Sequence, residues 1–217
     1  MINLTSFLVL LKSHKTEIEE RLSIYGYRVI AYYLVGSTCT SLIKNARDID
    51  IAVYTEKVFE KGLKAIIPRN TLDGKVVDYH LITKEKLDRI KNTPLIWIEY
   101  FGKTPLLSYD QNELSAEERM KVGKKEIKTN YKTILTNEKK RILRLIEKEN
   151  YNNPRTLKPF YHLFGLIYVI DNNFTNNFSA EQQQMLQYLH DYTLPPQFIN
   201  QLDFYKYSIS EIDRLLK

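Results

Sequence analysis

Two acids one residue apart, Asp48 and Asp50, sit on a run that alternates with period two, Asp48-Ile49-Asp50-Ile51-Ala52-Val53-Tyr54. In a strand, residues two apart point to the same face. Both carboxylates therefore project together, while Ile49 and Ile51 turn to the opposite side. Neighbouring carboxylates repel unless a cation sits between them, and a hard divalent ion with oxygen ligands is the natural occupant. Gly36-Ser37 precedes Asp48 by ten intervening residues and ends a dense β-prone run, Arg28 to Val35. Glycine lets a phosphate approach the backbone, and serine adds a hydroxyl donor. A short helix predicted over Thr38 to Asn45 would add free N–H groups and a favourable dipole. Phosphates held there would lie beside metals held by Asp48 and Asp50. Phosphoryl and nucleotidyl transfer need that arrangement, because the metals bridge phosphates, activate an acceptor oxygen and neutralise the leaving pyrophosphate.

Two-metal chemistry usually wants a third carboxylate, and Asp78 is the candidate. It stands mid-strand between Val77 and Tyr79, where a charge is costly unless it faces a metal or a cation. A neighbouring strand of the same sheet would bring it beside Asp48 and Asp50. The competing reading makes Asp48 and Asp50 surface acids on an edge strand, Gly36-Ser37 an ordinary turn and Asp78 a salt-bridged or exposed acid. His80 shares the face of Asp78 and is expected to be a packed or exposed histidine rather than part of the site.

The elements that must position these residues follow from periodicity and breakers. Leu4, Phe7, Leu8, Leu11, Ile18 and Leu22 form a helical stripe over residues 3–23. Strands are predicted at 28–35, 48–54 and 75–82, the last after the Asp73-Gly74 hairpin signal. Residues 55–65 read as helix, and Thr83 caps another helix to about Lys91. Leu95 to Tyr100 is apolar and ambiguous, and Pro105 to Asp110 reads as a final strand and turn. The character changes at Ser115. Residues 115–149 lack proline and are rich in Lys, Glu and Arg, which predicts one or two helices. Asn150 to Pro154 is a break. Leu157 to Ile170 is an apolar helix, Ser179 opens another ending near Thr193, and Pro195-Pro196 starts a last helical stretch. The predicted fold class is α+β: a mixed sheet with flanking helices over residues 1–112, then a helical bundle over 113–217.

Val35-Gly36-Ser37, the ten-residue spacer and Asp48-Ile49-Asp50-Ile51 together resemble the signature of the DNA polymerase β-like nucleotidyltransferase superfamily. Asp78 matches its third acid on a later strand, and Arg47 stands where that group often has an arginine. Pro105-Leu106-Leu107-Ser108-Tyr109-Asp110 is similar to the strand end that follows the catalytic core in minimal and aminoglycoside-type members. The resemblance covers roughly residues 28–110, and beyond it only the architecture matches. It implies that Asp48, Asp50 and Asp78 hold two Mg²⁺ ions and that Gly36 and Ser37 hold phosphates of an NTP, with ATP the expected donor. Arg47 would contribute to nucleotide binding. So would Lys158, or Arg155, in the manner of a basic residue from the helical domain of related two-domain transferases.

Bulk properties bound the rest. The chain has 217 residues and is 43% hydrophobic, enough for a sizeable core. Its formal charge of +6 favours polyanions, although a lysine-rich composition accounts for it equally well. With Cys39 as the single cysteine, no internal disulfide can form and a cysteine-based zinc site is disfavoured. No stretch approaches a membrane span, and a cytoplasmic location is expected. Lys121, Lys124, Lys125, Lys128 and Lys132 recur at helical spacing and could track a nucleic-acid backbone, though a solvated helix face weighs more. The expected activity is transfer of an NMP from an NTP to an acceptor hydroxyl on a small molecule such as an antibiotic, on an RNA 3′ end or on a protein. The non-enzymatic alternative is an inactive fold of this kind serving as a binding or antitoxin module.

Overall fold

The computed structural model describes residues 4–35, 48–57, 70–72, 75–109, 116–149 and 153–217. The chain divides into two compact units. One comprises Met1–Asp88 with Gly102–Ser115, and the other Arg89–Phe101 with Ala116–Lys217. The chain thus leaves the first unit, contributes a short helix to the second and returns for one more strand.

The first unit opens with helix α1 (Leu4–Ile24), followed by strands β1 (Tyr27–Val35), β2 (Asp48–Lys57), β3 (Asn70–Leu72) and β4 (Lys75–Ile82). Strand β5 (Lys103–Ser108) completes a five-stranded mixed sheet of order β3-β4-β2-β1-β5. β2 runs antiparallel to β1 and parallel to β4, so it lies at the centre of the sheet. The alternation read from β2 is the observed one. Ile49, Ile51 and Val53 join Val77, Tyr32 and Leu34 in a core that also takes Leu11, Ile18 and Leu22 of α1. Leu8 packs at its margin. Burying such side chains fully stabilises by roughly 1.5–3 kcal/mol each, and it pins the opposite face of every second residue toward the site. Leu72 pairs with Lys75, as the Asp73-Gly74 signal predicts, although those two residues themselves lie outside the described ones.

Helix was expected over 55–65, yet Thr55, Glu56 and Lys57 continue β2. Their partners are Val29, Arg28 and Tyr27. Pairing with β1, reinforced by burial of Thr55 and by the Arg28–Glu56 ion pair at 2.7 Å, overrides local preference. Residues 58–65 lie outside the described ones. Thr83 caps α2 (Lys84–Ile90), its Oγ1 accepting from the Lys86 backbone N–H at 3.3 Å.

In the second unit the ambiguous run becomes helix α3 (Ile96–Phe101), which buries Ile96, Trp97 and Tyr100 on one side. The charged stretch forms a single 32-residue helix, α4 (Ala116–Glu147). Its lysines are partly engaged: Lys121 pairs with Glu117 at 2.8 Å, and Lys128 lies 5.0 Å from the Phe174 ring centre. A 3₁₀ turn (Pro154–Leu157) leads into α5 (Lys158–Asp171), and then come α6 (Ala180–His190) and α7 (Gln201–Leu216). Ser179 and Gln182 form the capping box of α6. The last helix starts at Gln201 and not at Pro195-Pro196, because the Asn200 side chain supplies the cap by accepting from the Asp203 N–H at 3.0 Å. Among the described residues, no helix is long and apolar enough to cross a membrane.

The second unit turns on Trp97. It is fully buried, its Nε1 donates to the His162 carbonyl at 3.0 Å, and Tyr161 and Phe178 meet it edge-on. Glycine makes this contact possible. A Cβ at Gly165 would stand 2.3 Å from Trp97 Cε2, and one at Gly123 would stand 2.4 Å from Tyr100 Cβ. α3 therefore lies against two helices through the absence of two methyl groups. Gly165→Ala should lower unfolding free energy by about 1–3 kcal/mol, as overpacking does, despite alanine's better helix propensity. Chemical denaturation monitored by Trp97 fluorescence would measure it, and unchanged stability would contradict the close packing.

Candidate active site

β2 and β4 bring the acids together through their register. In the parallel pairing Asp50 stands directly opposite Asp78, Asp48 opposite Val76 and Ala52 opposite His80. Directly paired residues face the same side of a sheet. Ile49, Ile51 and Val77 are buried in the core, so Asp48, Asp50 and Asp78 share the other face. Each offers a carboxylate oxygen within 4.8 Å of the other two, and each is partly buried. Three convergent oxygen donors still open to solvent fit a hard divalent cation such as Mg²⁺ or Mn²⁺ better than a soft one.

His80 belongs to this cluster. Its Nε2 lies 2.7 Å from Asp50 Oδ1, with the imidazole 45% exposed and the Asp50 side chain 25% exposed. An ionised carboxylate can only accept, so Nε2 carries the hydrogen and donates it. A packed or merely exposed histidine was the sequence expectation. The signal available was its period-two relation to Asp78. The missing information was the register that sets β4 against β2.

A cation also occupies the acid-bearing face. Asp78, Asp50, Val35 and Lys103 form one row across β4, β2, β1 and β5. The Lys103 ammonium lies 4.6 Å from the Tyr33 ring centre and 4.4 Å from that of Tyr54, and it donates to the Tyr54 hydroxyl. Such a position over two aromatic faces holds a lysine charge in place. Nothing in the spacing of Lys103 relative to the acids signals this, because the row crosses strands far apart in the chain.

On the sheet's other side, Tyr109, from the strand end resembling the family's, is tied to α1. Its hydroxyl donates to Glu19 Oε1 at 2.6 Å and accepts from Lys15 Nζ at 2.7 Å. The Tyr32 hydroxyl also reaches Glu19, at 3.3 Å, and burial first, with Glu19 second, raises its pKa far above the usual range.

Gly36, Ser37 and Arg47 lie outside the described residues, as do Cys39 and Lys44. Val35, the residue before Gly36, stands opposite Asp50. Lys158 begins α5 in the helical unit, its Nζ 5.6 Å from the Tyr192 ring centre. One turn on, His162 has its pKa pushed down to about 4, by burial first and then by the charges of Lys158 and His190.

No curated protein shows significant sequence similarity to this chain. A family model does match: residues 11–104, which take in most of α1, strands β1 to β4 and the three acids, match that of the nucleotidyltransferase domain. The match over residues 11–104 is consistent with the polymerase β-like nucleotidyltransferase superfamily.

Proposed function

We propose that this protein transfers a nucleoside monophosphate from an NTP, ATP being the expected donor, to a hydroxyl group of an acceptor, with release of pyrophosphate. The observation that carries the reading is the convergence of Asp48, Asp50 and Asp78 within 4.8 Å on one face of the sheet. Asp48 and Asp50 would hold two Mg²⁺ ions, with Asp78 completing the set. When bound, the ions supply charge neutralisation for the phosphates and lower the cost of ionising the acceptor hydroxyl. The acceptor oxygen forms a bond to the α-phosphorus while the bond from that phosphorus to the bridging oxygen breaks. The acceptor's proton passes to an Asp78 carboxylate oxygen, and the electron pair of the broken bond leaves with pyrophosphate. Gly36 and Ser37 would hold the β- and γ-phosphates, with Arg47 beside them. A binding-only module would have no need to hold three mutually repelling carboxylates this close, which argues against the non-enzymatic alternative.

A labelled-NTP transfer assay against total RNA, cell protein and an antibiotic panel would identify the acceptor, since a small molecule, an RNA 3′ end and a protein give separable products. Asp50→Asn or Asp78→Asn should lower turnover by at least about 100-fold, the scale seen when one preorganised electrostatic group is lost, with unchanged circular dichroism. Chelation should abolish transfer and added Mg²⁺ restore it. Retained activity in Asp50→Ala would sink the assignment.

The part given to Lys158 stands separately. If its ammonium meets the triphosphate, Lys158→Ala should weaken NTP affinity roughly tenfold or more, the worth of a charged hydrogen bond. Calorimetric titration with a non-hydrolysable analogue would measure this, and an unchanged affinity would remove Lys158 from the site.

A further inference from the structure

We infer that His80 is a positioning residue for the metal-binding carboxylate of Asp50, an inference that rests on the nucleotidyl-transfer reading above. Three observations carry it. His80 lies two residues beyond Asp78 on β4, so the alternation that exposes Asp78 on the acid face exposes His80 there too. The register sets it opposite Ala52, whose side chain is a single methyl group. A larger residue there would fill the space through which the imidazole leans back toward Asp50. Finally, Nε2 reaches Asp50 Oδ1 at 2.7 Å, a charge-assisted length.

The consequence is geometric. A carboxylate has two oxygens with about four lone-pair directions. The His80 hydrogen bond occupies one direction on Oδ1 and limits rotation of the carboxylate about its own axis. It leaves Oδ2 and the second direction on Oδ1 for cations. Asp50 faces Asp78 directly, so without such a donor its carboxylate would be free to turn away from its like-charged neighbour. A hydrogen-bond partner of this kind behind a ligating carboxylate typically changes metal affinity by about 10–100-fold. Chemistry and phosphate binding stay with other groups; His80 acts through Asp50.

The test uses the full-length protein and Mn²⁺ as the probe, with affinity read from the free-ion signal in electron paramagnetic resonance and Mg²⁺ affinity from competition. His80→Ala should weaken Mn²⁺ binding about tenfold and raise the Mg²⁺ concentration needed for half-maximal turnover by a similar factor. At saturating metal its kcat should recover to within a fewfold of the parent. His80→Gln, which returns an N–H near the Nε2 position, should recover most of the affinity. A side chain that merely packed at this half-exposed position would not show rescue by glutamine. His80→Ala with parental Mn²⁺ affinity, or His80→Gln as weak as His80→Ala, overturns the inference. Asp50→Asn separates the two levels of the argument. If the parent binds Mn²⁺ no better than Asp50→Asn does, the metal-dependent reading falls and the role of His80 falls with it. If the parent binds and Asp50→Asn does not, an unaffected His80→Ala removes only the role of His80.

Discussion

Three carboxylates within 4.8 Å of one another repel, and the first unit is arranged around bearing that repulsion. At such separations each ionised pair costs ~1 kcal/mol in water-like surroundings and roughly 3 kcal/mol at an effective dielectric near 20. A flexible loop would relax by moving the groups apart. The central strand cannot, because Ile49 and Ile51 alternate with Asp48 and Asp50 and are fully buried beneath α1. Displacing the acids would pull these side chains from the core, and a slip of one residue would drive the carboxylates into it. Val77 anchors Asp78 in the same way on β4. The apolar face therefore holds the three acids together on the opposite side of the sheet.

The same logic orders the groups around the acids. His80 donates into Asp50, while Lys103, two strands away in the row that contains Asp50 and Asp78, is held over the rings of Tyr33 and Tyr54. A hydrogen-bonding imidazole and a localised ammonium thus share the face of the three acids, and both charge signs are presented from a rigid support.

The helical unit solves a different problem. Its core is aromatic, with Phe160 stacked on Tyr205 at 5.1 Å and Phe164 stacked on Phe204 and Tyr207. Large flat side chains pack at native density only where neighbours are small, and Gly165 provides that space for Trp97. Ion pairs tie the helices at the periphery: Arg214 grips Asp171 through two hydrogen bonds of 2.9 and 2.7 Å, and Lys139 meets Asp213 at 2.6 Å. These pairs are partly exposed, so they specify how α7 meets its neighbours more than they stabilise the unit.

Much of this was legible in the residues alone, for a physical reason. Periodicity is a local property, so α1, β1, β2, β4, α5 and α6 could be read from spacing, and so could the common face of Asp48 and Asp50. The cap at Thr83 and the capping box at Ser179 were equally local. Apart from the start of α7, which the local Asn200 cap sets, what failed depended on a distant partner. Thr55 to Lys57 became strand because β1 was there to pair with them, and α3 took shape against glycines 22 or more positions downstream. By itself the sequence determined which side chains share a face, including that of Asp48 and Asp50. Tertiary structure alone decided that Asp50 faces Asp78, that His80 reaches back to Asp50 and that Lys103 joins their row. Those contacts are fixed by strand order and register, which follow from burying one continuous core and not from any short stretch of chain.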